Sequence, residues 1–275
     1  MIVQNMEIYE QIGKGEFATV YRGRHRDIAE TVAIKAIPMQ RLHINPPLKR
    51  MIEAEQKALS MAKHENIIKL HTIIQTDREV DLIYEYCEQG SLSSLLSTHQ
   101  FTESQALQII YDLCSALVCL KAHNIVHRDI KPENVLVKNG RVKLADFGLC
   151  MVGPPSPADC ITHIGSMAFM SPETIERFIY DTKTDTYSLG LLGYEILGGK
   201  LPFSSRDPSV LLEEKRRFII SKANLPYVSE DFIYVLDRMT KFDPRERIGV
   251  EQALFECGRI MQNQSIPRYP LRPNK

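Results

Sequence analysis

From residue 8 to residue 37 the chain alternates short β-prone runs with turns: 8–12, then Gly13-Lys14-Gly15-Glu16-Phe17-Ala18, then 19–23, then 31–37. Alternate residues of a strand share a face, so the pattern predicts a strand, a glycine-rich turn and two further strands. A helical period follows the prolines at 46 and 47. Over about 48–62 it places Ile52, Leu59 and Ala62 on one side, with Glu55 near that side. Residues 81–87 return to strand character and lead into Glu88-Gln89-Gly90, a flexible connector before a helix beginning near Ser91. Two lobes would join there. Beyond the connector a helix is expected over about 103–123. Two alternating runs between Val135 and Leu144 are joined by Asn139-Gly140, the strongest short-range hairpin signal. The apolar stretch 187–199, interrupted by Glu195, reads as a buried core helix.

Composition narrows the picture. A chain of 275 residues with 44% hydrophobic content suffices for one large domain or two lobes sharing a hinge, with no room expected for a separate regulatory domain. Lys+Arg equals Asp+Glu at 34 each, so neither nucleic acid nor an anionic membrane is expected as the primary partner. The six cysteines, at 87, 114, 119, 150, 160 and 257, show no paired metal-ligand spacing, and a cytoplasmic or nuclear setting is expected. Residues 1–11 have neither a basic start nor an apolar run, so no secretory leader is expected. No segment is expected to supply the roughly 20 apolar residues of a transmembrane span. Gly153-Pro154-Pro155-Ser156-Pro157-Ala158 reads as an exposed, irregular loop.

The densest chemistry lies in His127-Arg128-Asp129-Ile130-Lys131-Pro132-Glu133-Asn134, followed by Asp146-Phe147-Gly148. In-line phosphoryl transfer needs a carboxylate to orient and deprotonate a hydroxyl, and oxygen ligands that hold Mg²⁺ against phosphates. Asp129, Asn134 and Asp146 have that chemistry, and the predicted hairpin between them holds Asn134 and Asp146 at its open end. Gly13 and Gly15 let backbone N–H groups approach phosphate oxygens, although a Gly-x-Gly turn alone is a weak signal. Val32-Ala33-Ile34-Lys35 points Ala33 and Lys35 to one face, where a cation held by an acid can grip phosphates. Glu55 is the candidate partner of Lys35. Glu53, two positions away, is the alternative that helix register leaves open. Backbone groups of Glu85 and Cys87 are placed to meet an adenine edge, with Tyr84 closing the back of the pocket.

With these motifs together, the chain resembles a eukaryotic protein kinase from about residue 9 to 258, motif by motif. The resemblance implies an α+β, bilobal kinase fold: a small, mainly β N-lobe over about 1–87, a larger, mainly α C-lobe over about 91–258, and a short tail at 259–275. It implies ATP and Mg²⁺, with Asp129 accepting the hydroxyl proton, Lys131 touching the transferring phosphate, and Asn134 and Asp146 as metal ligands. Its ATP site comprises Ile12, Gly13, Lys14, Gly15, Glu16, Phe17, Ala18, Thr19, Val20, Ala33, Lys35, Glu55, Glu85, Cys87 and Leu136. Lys131 is similar to the serine/threonine class, so protein substrates with Ser or Thr acceptors follow. His127 becomes structural, stacked with Phe147, Leu59 and Leu70.

By the same resemblance 146–173 is an activation segment, with Thr162 the candidate phosphosite, Arg128 its cationic partner and Ser166 steadying the catalytic Asp and Lys. Glu173 is expected to pair with Arg247. An upstream kinase or an activating partner protein is possible on this reading. Glu133 and Glu195 match acids that some relatives use to read a basic residue before the acceptor. Ala18 stands where the third loop glycine is usual, and Tyr187 stands where Asp185-x-Trp is commoner; the chain has no Trp. Several strings, among them Lys63-His64-Glu65-Asn66-Ile67, are similar to the Unc-51-like kinases, and most are shared with Polo-like, Aurora-like and other groups. A scaffolding pseudokinase and a small-molecule phosphotransferase share the fold. Retention of Lys35, Asp129 and Asp146 speaks against the first, and Lys131 with the Ser171-Pro172-Glu173 terminus against the second.

Overall fold

The computed structural model describes residues 2–3, 6–28, 30–154, 166–203 and 205–265. Its first lobe is an antiparallel sheet of six strands: β1 (Ile2–Val3), β2 (Met6–Lys14), β3 (Thr19–His25), β4 (Thr31–Pro38), β5 (Leu70–Gln75) and β6 (Glu79–Glu85), in the order β1-β2-β3-β4-β6-β5. Period-two alternation sorts its side chains. Val32, Ile34 and Ile83 cluster with Met6, while Leu82 and Tyr84 join the large core that also holds Ala58 and Leu59. β2 runs past its predicted end to include Gly13, which pairs with Val20, and the turn closes with the Gly15 N–H on the Ala18 carbonyl at 2.9 Å.

A short helix, α1 (Met39–Ile44), which the sequence pattern did not announce, precedes α2 (Pro46–Met61). Pro46 starts α2 at a position where its missing N–H costs nothing. Leu48, Glu55, Ala58 and Leu59 form its buried stripe. Residues 86–90 then cross to the second lobe, where α3 (Leu92–Leu96) begins with the Ser91 side chain accepting the Ser94 N–H.

The second lobe is helical: α4 (Glu103–Ala122), α5 (Pro172–Arg177), α6 (Thr182–Gly198), α7 (Pro208–Arg217), α8 (Glu230–Met239) and α9 (Val250–Asn263). Reciprocal side-chain and backbone bonds cap α4 at Thr102/Gln105 and α6 at Asp181/Thr184. The α6 axis lies so near α8 that a Cβ at Gly193 would meet Leu236 Cδ2 at 2.6 Å. By length and composition alone α4, at 20 residues, is apolar enough to cross a membrane. Eleven of its residues are buried among α6, α9 and the rest of the lobe, which makes it the core helix.

Small strands frame the string from His127 to Asn134. β7 (Ile125–Val126) pairs with β10 (Met151–Val152), and β8 (Val135–Lys138) pairs with β9 (Arg141–Leu144). The β8–β9 turn places Asn139 at φ 52° and Gly140 at φ 74°, the left-handed pair that an Asn-Gly hairpin turn requires.

Candidate active site

The β4 register brings Lys35 opposite Val20 and Leu82, facing α2. Its ammonium reaches Glu55 Oε2 at 3.0 Å and Asp146 Oδ1 at 3.3 Å. Helix register therefore selects Glu55, which is buried, over Glu53, whose side chain is exposed and only 4.0 Å from Lys49. Tyr84, expected at the back of this space, bonds the cluster itself: its hydroxyl donates to Glu55 Oε1 at 2.7 Å. Burial and then the charge of Glu55 raise the Tyr84 pKa, so the phenol stays a donor. Burial works against the Lys35 charge, but Glu55 and Asp146 more than offset it and raise its pKa. Burial likewise opposes ionisation of Asp146, and Lys35 outweighs it, holding the carboxyl below its usual range. A Cβ on Gly148 would lie 3.3 Å from Asp146 Oδ1 and 3.8 Å from both Lys35 Nζ and Glu55 Oε2, so glycine leaves this cluster room.

The hinge strand ends at Glu85, whose N–H donates to the Lys69 carbonyl at 3.0 Å. The expectation that Glu85 backbone groups meet an adenine edge thus narrows to its carbonyl. The Cys87 carbonyl accepts from Gly90 N–H at 3.2 Å, which leaves Cys87 N–H as the matching donor. The Glu85 side chain turns the other way, to Lys143 at 2.9 Å and Lys138 at 3.1 Å. Burial opposes the Glu85 charge, and these two lysines hold its pKa below the usual range. Leu136 lies on β8 beside the connector, and Ile12, Val20 and Ala33 lie on the strands of the N-lobe sheet.

In the string from His127 to Asn134, Asp129 is buried and surrounded by donors. Lys131 Nζ lies 2.7 Å from Oδ2, Asn134 Nδ2 lies 2.7 Å from Oδ2 and 2.8 Å from the Asp129 carbonyl, and Ser166 N–H reaches Oδ1 at 3.1 Å. The Asn134 amide nitrogen is thus committed to Asp129, which leaves the amide oxygen as the atom of this side chain suited to a cation. The Ala145 N–H on the Asn134 carbonyl, at 2.8 Å, ties the start of the hairpin to the residue before Asp146. An amide oxygen and an ionised carboxylate are the donor types a hard divalent cation takes.

His127 is fully buried, with its ring edge-on to Phe147 at 4.7 Å and Nε2 at 3.1 Å from the Ala145 carbonyl. Burial lowers its pKa and keeps it neutral, in line with a structural role. Asp185, at the start of α6, accepts the N–H groups of His127 (2.7 Å) and Arg128 (2.9 Å). Arg128 sits at φ 71°, in the left-handed region. Its guanidinium bonds the Leu149 carbonyl at 2.6 Å and lies over the Tyr180 ring. Thr162, its expected phosphate partner, lies outside the described residues, as does Cys160.

Further along the segment, Arg247 clamps Glu173 with two bonds of 2.7 and 2.9 Å, as expected. Glu195 is pushed up to about 7 by burial and then by Glu133, and its buried Oε2 has no hydrogen-bond partner among the described residues. Sequence reasoning gave no role to Asp185, Lys138 or Lys143. The signal for Asp185 was its place beside Tyr187 in the altered Asp-x-Trp string. The two lysines alternate with apolar residues on β8 and β9 and read as ordinary exposed positions.

The protein kinase domain family model matches residues 6–256, and the chain belongs to that family. It is similar to the maternal embryonic leucine zipper kinase of Danio rerio, 32% identical over 98% of this chain and 40% of the relative. It is 34% identical to an Aurora kinase of Yarrowia lipolytica over 90% of this chain and 67% of that protein. The serine/threonine-protein kinase ATG1c of Arabidopsis thaliana matches at 32%, over 91% of this chain and 35% of the relative. The Unc-51-like resemblance therefore stands level with others. The chain spans about a third to two fifths of the length of the first three curated relatives it matches.

Proposed function

We propose that this chain transfers the γ-phosphoryl group of ATP to serine and threonine hydroxyls of protein substrates, with Mg²⁺. The observation that carries the reading is the Asp129 carboxylate, buried yet held by Lys131, Asn134 and the Ser166 N–H, with the Lys35–Glu55–Asp146 cluster completing the site. Asp129 orients the acceptor hydroxyl and takes its proton. Lys131, already bonded to Asp129, neutralises the phosphoryl oxygens alongside. Lys35, fixed by Glu55, aligns the phosphates, which is the positioning that in-line transfer depends on. Asn134 and Asp146 would hold the metal, which when bound would neutralise charge on the phosphate oxygens. The Glu85 carbonyl and the Cys87 N–H hold the adenine edge.

The substrate reading extends to a basic residue before the acceptor. Glu195, whose buried Oε2 has no hydrogen-bond partner among the described residues, and Glu133, close enough to raise its pKa, form an acidic pair that an Arg or Lys side chain would complement. The test is transfer of γ-phosphate to a positional-scanning peptide library. Incorporation at Ser and Thr, enriched in peptides with an upstream Arg or Lys, is expected. Absence of transfer to every peptide in the presence of Mg²⁺ and ATP overturns the assignment.

A further inference from the structure

Lys215 is one of the largest fully buried side chains among the described residues, with 1% of its surface exposed. It belongs to α7, whose Leu-Leu-Glu-Glu-Lys-Arg-Arg sequence reads as a solvated charged helix. No carboxylate among the described residues lies within ion-pair distance of it. Its ammonium instead donates to the Ala168 carbonyl at 2.7 Å and lies 4.2 Å from the Phe203 ring and 5.2 Å from the Tyr187 ring. Both rings offer the negative face that a cation seeks.

We infer that Lys215 is a positioning residue for the protein substrate: by fixing the Ala168 carbonyl it sets residues 166–171 as the ledge on which the acceptor-bearing segment lies. The inference rests on the protein-substrate reading above. Three further ties show that this ledge is registered from the C-lobe. Ser166 N–H holds Asp129, Ser188 Oγ donates to the Phe169 carbonyl at 2.8 Å, and Arg247 holds Glu173 just beyond. Adjacent carbonyls, of Ala168 and Phe169, are thus each taken by a side chain from a different helix. Lys215 also occupies the neighbourhood of Tyr187, the position where the expected Trp is missing. A buried ammonium without a carboxylate is a poor way to stabilise a fold, because an apolar side chain of the same length fills the space without desolvating a charge.

The groups acting on Lys215 are Glu214 on its own helix, Glu173 on α5, and Arg247. Burial lowers its pKa to about 7; Glu214 and Glu173 favour the charge and Arg247 opposes it. As pH rises through that value the ammonium is lost and its attraction to the two rings goes with it. The peptide KM then rises while the ATP KM does not.

The experiment compares wild type with Lys215→Met, of similar length but without charge or donor, and Lys215→Gln, which keeps a donor. KM for ATP and for a peptide without an upstream Arg or Lys, which Glu195 does not read, are measured across neutral pH, with thermal denaturation alongside. The Met variant is expected to raise the peptide KM about tenfold, the loss of one charge-assisted bond, to hold the ATP KM within about twofold, and to lose the neutral-pH inflection. The Gln variant is expected to fall between. A peptide KM within about twofold of wild type overturns the inference, and so does a parallel rise of both KM values with a lowered thermal transition. If the Met variant is too unstable to assay, the Gln variant decides by the same split. A wild-type protein that phosphorylates no peptide refutes the substrate reading itself. A wild type that does, with variants unaffected, refutes only the role of Lys215.

Discussion

Arg247→Met tests the anchor of the activation segment. The Arg247 side chain is fully buried and spends its donors on Glu173 at 2.7 and 2.9 Å and on the carbonyls of Lys183, Lys241 and Phe242 at 2.9, 3.1 and 3.4 Å. Methionine fills similar space but leaves a mostly buried carboxylate without its cation and takes the guanidinium donors from the carbonyls of Lys241 and Phe242, while the Lys183 carbonyl keeps its place in the helical ladder of α6. Breaking one side of such a pair costs about 3–5 kcal/mol, a large fraction of the roughly 5–15 kcal/mol that holds a domain folded. At about 2–4 °C per kcal/mol for a domain of this size, the melting temperature should fall by about 6–20 °C in a calorimetric scan. Replacing both partners, Arg247→Met with Glu173→Met, should recover much of the loss because no orphaned charge remains. A single-variant drop under about 2 °C would refute the claim that this pair carries the segment.

Asp129→Asn and Asp146→Asn should each lower the phosphoryl-transfer rate on the order of 10²-fold or more without loss of the folded circular-dichroism spectrum; near wild-type turnover would remove the assigned role. Glu55→Gln should cut kcat/KM about tenfold or more by weakening the hold on Lys35, whereas Glu53→Gln, at an exposed site, should stay within about twofold; the reverse order would reassign the pair. Glu195, raised to about 7, is neutral below that pH and ionised above it. Preference for an Arg-containing over an Ala-containing peptide should therefore grow from about pH 6 to about pH 8, and Glu195→Gln should flatten the profile. A preference that is flat in the wild type argues against Glu195 as the reader.

The strands of the first lobe, the main helices and the β8–β9 hairpin were legible, and Lys35, Asp129, Asn134 and Asp146 stood out as candidates, because each rests on local chemistry: alternation, an Asn-Gly turn, a string of unusual residue types. The choice between Glu55 and Glu53 was not, since an amphipathic pattern locates a stripe but not the residue at its edge that meets a neighbouring strand. β7 and β10 are two residues each, too short for any period, and exist only because they pair across 25 positions. α1 carries no buried residues, and so no apolar stripe announces it. Lys215 carries no local signal of its true setting. Among glutamates and arginines it reads as solvent-facing, and only the fold shows that the loop before α5 closes over it. The Tyr84 hydroxyl was hidden for a related reason: size predicted that it would block the pocket, but its partner comes from a different element.

The bonds from Asp185 to His127 and Arg128 bear on protein engineering. Arg128 holds a left-handed conformation that costs a non-glycine residue of order 1–3 kcal/mol, and the carboxylate that fixes it belongs to a helix 57 residues further along the chain. The octapeptide from His127 to Asn134 is thus not a portable cassette. Spliced into another scaffold without an acid at the same place, it would relax at Arg128, and Asp129 would lose its aim even with every catalytic residue present.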